Sequence, residues 1–215
     1  NAGSDETTCE DQPFDLSLSA TPPTATNFIA VNWTHNGTGS FNNPGILTPT
    51  YTPGIGETGN VTLTMTVTGT GSCVVTADDM VLTIIDAPTA DAGSNSEFCG
   101  QDPFDLATLA IPPTATNYSS VSWTHNGTGS FTDPNVLVPV YNPGAGDAGI
   151  ITLTMTVTGN APCGVVTDNM ALTVNPKPVL DPNLDATVCS DHISGIVLNV
   201  DAGSVPAASY TINDI

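Results

Sequence analysis

The sequence predicts an all-β protein made of tandem sandwich domains, and three observations lead to that prediction. Shifting the 215-residue chain by ninety positions places Cys9 on Cys99 and Trp33 on Trp123 without a gap, and about half of the paired positions are identical. Stretches in which apolar residues alternate with threonine are typical of strands with one buried face. Glycine and proline are frequent between these stretches, and helix signals are scarce, which favours short strands joined by turns.

The repeat divides the chain into two complete domains and part of a third. A unit of about ninety residues is large enough to form a sandwich with its own core. We therefore expect a first domain at 1–88, a second at 89–178 and the N-terminal part of a divergent third repeat at 179–215. The first residues align with the linker between the repeats, so we expect the chain to be an interior part of a longer protein.

Strands are predicted in order along each repeat. A strand at 14–18 precedes a Pro-Pro turn, and a second strand is expected at 28–33. A third strand at 46–51 contains Pro49, which indicates an edge position because proline cannot donate to a ladder.

The most regular strand is predicted at 61–68, and a hairpin turn then leads to a closing strand that ends near Ile85. Seven or so short strands without helices predict immunoglobulin-like sandwiches. Prolines stiffen the linkers between the domains, so we expect the sandwiches to be arranged end to end.

The segment 33–41, Trp-Thr-His-Asn-Gly-Thr-Gly-Ser-Phe, recurs at 123–131 and is the best preserved part of the repeat. Our interpretation is that Trp33 fills the core and that the Asn-Gly pair ending at Gly37 supplies the positive φ angles of a tight hairpin turn. The alternative is that His35 acts as a general base or ligand, although no catalytic motif surrounds it. The core and turn residues predicted from this segment are Trp33, Gly37, Gly39, Trp123, Gly127 and Gly129.

The five cysteines follow the repeat. Cys9 with Cys73, and Cys99 with Cys163, would each close a loop of the same length. We expect each pair to meet at the pole where the chain enters its domain, and Cys189 to lack a partner because its domain is truncated. Evenly placed pairs of this kind indicate an oxidising compartment. A zinc site is the rival interpretation, but no Cys-x-x-Cys pair is present.

The charge of the chain is strongly negative, with one Lys+Arg against 21 Asp+Glu and a formal net charge of −20. Nucleic acid is excluded as a partner because binding phosphates requires clustered basic residues. Anionic membrane surfaces are disfavoured for the same reason. No run of eighteen apolar residues occurs, so we expect no direct insertion into a membrane.

No enzyme activity is predicted, because the sequence contains no nucleophile elbow, phosphate-binding loop or zinc-protease motif. Paired carboxylates could act as the acid and base of a glycosidase. The adjacent pair Asp78 and Asp79 is the candidate, but the second repeat has Asp168 followed by Asn169, so the pair is not kept.

No cofactor is predicted, although calcium remains an alternative at the linkers. Calcium binds clustered carboxylate oxygens in extracellular proteins. Asp86 and Asp91 flank the first linker, and Asp181 and Asp185 lie near the second. Their spacing matches no EF-hand loop, and single acids at linkers are more often solvated.

Strings shared by the two repeats resemble a known family. They include Val-x-Trp-Thr, Gly-Thr-Gly-Ser-Phe, Thr-Leu-Thr-Met-Thr-Val-Thr-Gly and Asp-x-Met-x-Leu-Thr. They are similar to the immunoglobulin-like or PKD-like repeats of giant cell-surface proteins of Bacteroidota, such as gliding-motility adhesins of the SprB type. This resemblance implies type IX secretion and display as an extracellular filament attached to the outer membrane.

The predicted function is therefore a structural stalk or filament segment of a giant secreted adhesin for gliding motility or surface attachment. The expected partners are neighbouring repeats of the same long chain, with surface polysaccharide contacted through other regions. The alternative is that the repeats themselves are carbohydrate-binding modules that act directly on polysaccharide.

Overall fold

The computed structural model describes residues 1–71, 75–100 and 102–177. The expectations for the third repeat, and for Cys73, Cys189, Asp181 and Asp185, concern residues outside this described part.

Each of the first two repeats folds as a β-sandwich of one four-stranded and one three-stranded sheet. In the first repeat the sheets have the strand orders β1-β7-β6-β3 and β2-β5-β4. A 3-10 helix, Leu16–Leu18, follows the second strand. The strands of the first repeat are β1 (Glu6–Cys9), β2 (Phe14–Asp15), β3 (Phe28–His35), β4 (Ser40–Phe41), β5 (Thr50–Thr52), β6 (Gly59–Gly69) and β7 (Thr76–Ile85).

The second repeat has the same design, with sheets of order β12-β15-β16-β9 and β10-β14-β13 and a two-stranded pair β11-β8. Its 3-10 helix is Leu106–Thr108. The strands of this repeat are β8 (Thr89–Asp91), β9 (Ser96–Cys99), β10 (Phe104–Asp105), β11 (Thr114–Thr116), β12 (Tyr118–His125), β13 (Ser130–Phe131), β14 (Val140–Asn142), β15 (Gly149–Gly159) and β16 (Val165–Asn175). The prediction of a tandem all-β sandwich fold is confirmed.

The chain forms two compact units whose bounds differ from the sequence repeat. One unit contains Asn1–Ala90 together with Ala115–Val121 and Thr156–Val166. The other contains Asp91–Thr114 and Ser122–Met155, and its described part ends with 167–177. Two segments of the second repeat therefore belong to the same compact unit as the whole first repeat.

The core of the first repeat follows from alternation in its long strands. In β6, Val61, Leu63, Met65 and Val67 point inward, while the threonines between them are only partly buried. Burying such an apolar side chain contributes about 1.5–3 kcal/mol. The same face of the sheet carries Trp33, which lies opposite Met65 in the register of β3 and β6. The strongest periodic signal in the sequence thus marks the centre of the sandwich.

Two expectations for the smaller sheet are wrong. The strand predicted at 14–18 stops at Asp15, because the Asp15 carboxylate accepts a hydrogen bond from Ser17 N–H and caps the 3-10 helix. The strand after Pro49 is central rather than an edge strand, since β5 lies between β2 and β4. Pro49 precedes the paired residues and only offers its carbonyl, which accepts from Leu16 N–H at 3.1 Å. A proline just before the first paired residue removes no backbone hydrogen bond between the strands.

Candidate functional site: a disulfide between repeats and a buried carboxylate

A disulfide bond joins the first repeat to the second. Cys9 is bonded to Cys163, with their Cα atoms 5.0 Å apart and a sequence separation of 154. Cys9 is the last residue of β1, and Cys163 lies in the turn between β15 and β16. Both cysteines are buried, at 0% and 8% exposure.

The position of Cys9 is set by the first strand. β1 runs parallel to β7, and its register places Cys9 opposite Ile85 at the C-terminal end of β7. At the other end of the same strand, the Asp78 carboxylate accepts a hydrogen bond of 2.8 Å from Ala2 N–H. The chain therefore enters beside the start of β7 and has travelled the length of that strand before it reaches Cys9.

The predicted pairing of the cysteines is wrong. In the second repeat, Cys99 lies opposite Asn175 at the end of β16, whereas Cys163 lies just before Val165 at its start. Ten residues of strand span about 33 Å, and a disulfide needs Cα atoms within about 7 Å. Cys99 is accordingly free and exposed. The pairing of Cys9 with Cys73 fails for the same reason, because Cys9 is bonded to Cys163 and lies at the far end of β7 from Thr76.

Polar contacts hold the turn that carries Cys163 against the linker after β7. The Cys163 sulfur lies 3.4 Å from the Asp86 carbonyl oxygen. The Asn117 side-chain amide donates to the Ala87 carbonyl at 3.1 Å, and Asn160 N–H donates to the Asn117 carbonyl at 3.4 Å. These contacts place the two sulfur atoms within bonding distance.

A second feature is a buried carboxylate in each sandwich, which the sequence did not reveal. Glu57 is only 8% exposed. Its carboxylate accepts hydrogen bonds from Thr38 N–H at 2.5 Å, Gly54 N–H at 2.8 Å and the Tyr51 hydroxyl at 3.0 Å. The carboxylate thus ties together the loop after β3 and the loop after β5.

Asp147 occupies the equivalent position in the second repeat and is 7% exposed. One of its oxygens accepts from Thr128 N–H at 2.6 Å and from the Thr128 hydroxyl at 2.8 Å. The other accepts from the Tyr141 hydroxyl at 2.7 Å and from Gly144 N–H at 2.9 Å. The exchange of Glu for Asp, with the charge retained, was the only signal in the sequence for this site.

The hydrogen bonds keep these carboxylates ionised. Burial alone raises the pKa of Asp147, but the donors from Thr128, Tyr141 and Gly144 outweigh burial and lower that pKa from 3.8 to about 2. The pKa of Glu57 is lowered by the same balance. Burial and the neighbouring carboxylate raise the pKa of Tyr51 to about 12. A carboxylate with a low pKa and a tyrosine with a high pKa are suited to a permanent structural bond and not to proton transfer near neutral pH.

The glycines of the preserved segment leave room for this carboxylate and for the tyrosine that binds it. The prediction that the segment forms a tight hairpin turn is wrong. β3 and β4 belong to different sheets, so 36–39 is a crossing between sheets, and the φ of Gly37 is not in the left-handed region. A Cβ on Gly37 would overlap the Glu57 carboxylate, and one on Gly39 would lie 2.6 Å from the Tyr51 hydroxyl oxygen. In the second repeat, a Cβ on Gly127 or Gly129 would lie 2.6 Å from the Tyr141 hydroxyl oxygen.

The remaining residues of the preserved segment lie in the core. Trp33 is 2% exposed, and its indole N–H donates to the Leu47 carbonyl at 3.3 Å. Trp123 is 3% exposed. The His35 ring packs edge-on against Phe41 and Tyr51, with ring centres 5.5 and 5.1 Å away. A sugar-binding platform would need an exposed aromatic face, which Trp33 does not offer.

The acidic candidates act as backbone acceptors. Asp168 accepts from Ala92 N–H at 2.7 Å, which repeats the contact between Asp78 and Ala2. Asp91 accepts from Gly93 N–H at 2.9 Å. Within the described residues, no group of three or more His, Cys, Asp or Glu side chains could hold a metal ion. Asp79 is exposed on β7.

In the part of the chain that the structure describes, no helix has the length and apolar character needed to cross a membrane.

No family model and no curated protein matches the chain. Among solved structures, it is similar to Drosophila N-cadherin EC1-4, with a TM-score of 0.43, 14% identity and coverage of 80% of this chain and 47% of that one. It is also similar to human protocadherin-24 EC1-2, with a TM-score of 0.40, 11% identity and coverage of 81% and 94%. The insect immune protein hemolin gives a TM-score of 0.41, 16% identity and coverage of 80% and 45%. The chain spans about half the length of the N-cadherin and hemolin structures.

Proposed function

We propose that the chain is a load-bearing segment of an extracellular stalk or filament in a giant surface adhesin of the Bacteroidota type. The observation that carries this proposal is the disulfide between Cys9 and Cys163, which joins successive repeats. A bond inside one domain protects that domain alone. A bond between successive repeats also keeps them together when tension is applied to the chain.

The disulfide changes the path that a pulling force takes. Tension that enters along β1 reaches Cys9, crosses to Cys163 and leaves along β16. The residues between the two cysteines are therefore outside the covalent path that bears the load. Both sandwiches keep their buried carboxylates and most of their strands in that protected loop, so stretching the oxidised chain does not extend this part of it.

What the two repeats share also supports a mechanical role. Trp33 and Trp123 are buried, and Glu57 and Asp147 bind the same loops in each sandwich. The features maintained in both repeats are those of core and turn. A binding module would be expected to maintain exposed aromatic or polar groups at a common surface instead.

The surroundings of the protein are part of the proposal. A structural disulfide indicates an oxidising compartment, and we place the segment outside the cell, on a filament attached to the outer membrane. The functional domains are 1–88, 89–178 and a third that begins at 179. Adhesion to polysaccharide, and any movement along the cell, belong to other regions of the parent chain.

Force spectroscopy on the 215-residue chain, held at its two ends, tests the load path. The oxidised chain should unfold without releasing the loop closed by the disulfide, whereas the reduced chain should release 154 additional residues. At about 3.4 Å per residue, that release is roughly 500 Å of extra contour length. Cys99→Ser is the matched control and should behave like the unaltered chain. Equal contour lengths before and after reduction would contradict the proposal.

A glycan array separates this function from direct carbohydrate binding. The folded, oxidised chain should give no saturable signal on any polysaccharide. Reproducible, saturable binding to one polysaccharide would assign the adhesive role to the repeats themselves. The exposed Asp79→Asn variant is the control for nonspecific charge effects, because it removes one carboxylate without touching the core.

A further inference from the structure

The second repeat presents an unpaired copy of the cysteine that is bonded in the first. Cys99 is the last residue of β9, opposite Asn175 in β16, as Cys9 is the last residue of β1, opposite Ile85 in β7. Cys99 is free and exposed, while Cys9 is fully buried and bonded. The cysteine at this position of the four-stranded sheet is therefore disulfide-bonded in the first repeat and free in the second.

A backbone carbonyl at the same repeat position lies beside a cysteine sulfur in both repeats. In the first repeat, the carbonyl of Asp86 lies 3.4 Å from the incoming Cys163 sulfur. Its counterpart ninety positions later is the carbonyl of Pro176, which lies 3.7 Å from the Cys99 sulfur. The equivalent carbonyl thus contacts the incoming sulfur in the first repeat and the sulfur of Cys99 itself in the second.

A cavity of about 400 Å³ lies next to Cys99. Its lining includes Gly100, the residue after Cys99, and Pro176, whose carbonyl oxygen contacts the Cys99 sulfur. Besides the small or apolar residues Gly100, Ala145, Ala148 and Val174, its lining includes the charged residues Asp147 and Lys177. Both charged side chains already have partners, because Asp147 accepts from the Tyr141 hydroxyl and Gly144 N–H and Lys177 pairs with Asp102 at 2.9 Å. The remaining small residues leave room for a compact turn.

We propose that Cys99 and this cavity form the docking site for the cysteine-bearing hairpin turn of a following repeat, joined through a disulfide equivalent to that between Cys9 and Cys163. The turn around Cys163 shows the required shape. It is closed by hydrogen bonds from Gly159 N–H to the Gly164 carbonyl at 2.9 Å and from Cys163 N–H to the Asn160 carbonyl at 2.8 Å. This inference rests on the equivalence of the repeats and does not depend on the adhesive function.

The bond forms by thiol–disulfide exchange with a small-molecule disulfide such as oxidised glutathione. The Cys99 thiolate attacks one sulfur of that disulfide, forms a mixed disulfide and releases one thiolate of the oxidant. The thiolate of the incoming cysteine then attacks the Cys99 sulfur and releases the second. Two protein thiols are oxidised, and one disulfide of the oxidant is reduced to two thiols.

A second copy of the chain provides the occupant for a test. Cys73 is the counterpart of Cys163 by the shift of ninety positions, so the first repeat of one molecule supplies the equivalent cysteine for Cys99 of another. The experiment uses the 215-residue chain with Cys189→Ser, incubated in a buffer of reduced and oxidised glutathione. Non-reducing electrophoresis and peptide mapping then report which sulfur atoms are joined.

The expected result is a ladder of head-to-tail oligomers linked between Cys73 and Cys99, with the bond between Cys9 and Cys163 intact in every rung. Adding either Cys73→Ser or Cys99→Ser should abolish the ladder. Mixing these two variants should restore a single dimer band, because one supplies only Cys73 and the other only Cys99.

Three outcomes would overturn the proposal. They are symmetric dimers through Cys99 in the Cys73→Ser variant alone, linkages scattered among all cysteines, and no oligomers while Cys9 and Cys163 remain joined. Mapping of that native bond in each sample shows that the fold is intact, so a negative result is informative. A failure here would leave the load path through the observed disulfide untouched.

Discussion

At the scale of single residues, the most informative position is the buried carboxylate, Glu57 in one repeat and Asp147 in the other. Aspartate is one methylene shorter, and in the second repeat the Thr128 hydroxyl adds a donor at 2.8 Å. Each carboxylate is compensated by backbone N–H groups and a tyrosine hydroxyl. Hydrogen bonds to an ionised acceptor are worth about 1.5–3 kcal/mol each, so such a site can be stable without a counterion.

The stability of the second sandwich should depend on pH through Asp147. Its pKa is about 2 in the folded chain and 3.8 without the fold, so the unfolded state binds a proton first as the pH falls. The stabilisation is complete above pH 4 and is lost as the pH falls towards 2. The shift corresponds to about 2 kcal/mol. Denaturant unfolding of the chain and of Asp147→Asn, compared from pH 6 to pH 2, should show their difference shrinking over that interval.

The exposed Asp79→Asn variant is the control for this titration. It leaves Asp147 in place, so its stability should approach that of Asp147→Asn over the same pH interval as the stability of the unaltered chain does. A constant gap between the chain and Asp147→Asn at every pH would mean that the asparagine acts through shape and not through the lost charge.

At the scale of elements, the crossing from β3 to β4 needs glycine because its backbone lies close to the Tyr51 side chain, and not because it needs a positive φ angle. Gly39 donates its N–H to the Tyr51 hydroxyl oxygen at 3.1 Å, and the space of a side chain there is filled by the tyrosine ring. The loop is thereby held against the Tyr51 and Glu57 pair. This is why the segment is preserved although it forms no hairpin.

Replacing Gly39 by alanine should destabilise the first sandwich by about 2 kcal/mol, because the added methyl group must displace Tyr51 or the backbone of β5. Gly45→Ala is the matched control, since a Cβ there meets only the Asn43 side-chain oxygen at 3.4 Å. Thermal melting of both variants measures the difference. Equal melting temperatures would contradict this prediction, since they would show that the crossing accommodates the added methyl group.

The elements that could be predicted from the sequence are those fixed by local alternation. The pattern at 61–68 identified β6 and its buried face, because every second residue is apolar. The short strand at Phe14 and the central position of β5 could not be predicted in this way. They depend on one aspartate cap and on a carbonyl of Pro49 that meets a distant backbone amide. The buried carboxylates were missed because their donors come from loops far apart in the sequence.

At the scale of the whole molecule, the pairing of the cysteines could not be predicted because the sequence is repeated. The predicted partner of Cys9 was Cys73, and the observed partner, Cys163, is its counterpart one repeat later. A periodic sequence describes both arrangements equally well, so spacing alone does not distinguish a bond within a repeat from a bond between repeats. The direction of β1 decides between them, since it carries Cys9 away from the hairpin end of its own sandwich.

The observed pairing makes a prediction about additivity. Cys9→Ala and Cys163→Ala each remove the same bond, so the double variant should be no less stable than the weaker single variant. Closing a loop of 154 residues restricts the unfolded chain by up to roughly 5 kcal/mol. Denaturant unfolding of the two single variants and the double variant measures both points. Cys99→Ala, at an exposed and free cysteine, is the control and should lose little stability.

Losses that add in the double variant, or a Cys99→Ala variant as unstable as Cys9→Ala, would mean that stability comes from the local packing of each sulfur. Because reduction of the unaltered chain should reproduce the double variant, the effect of the bond can be separated from the effect of the side chains.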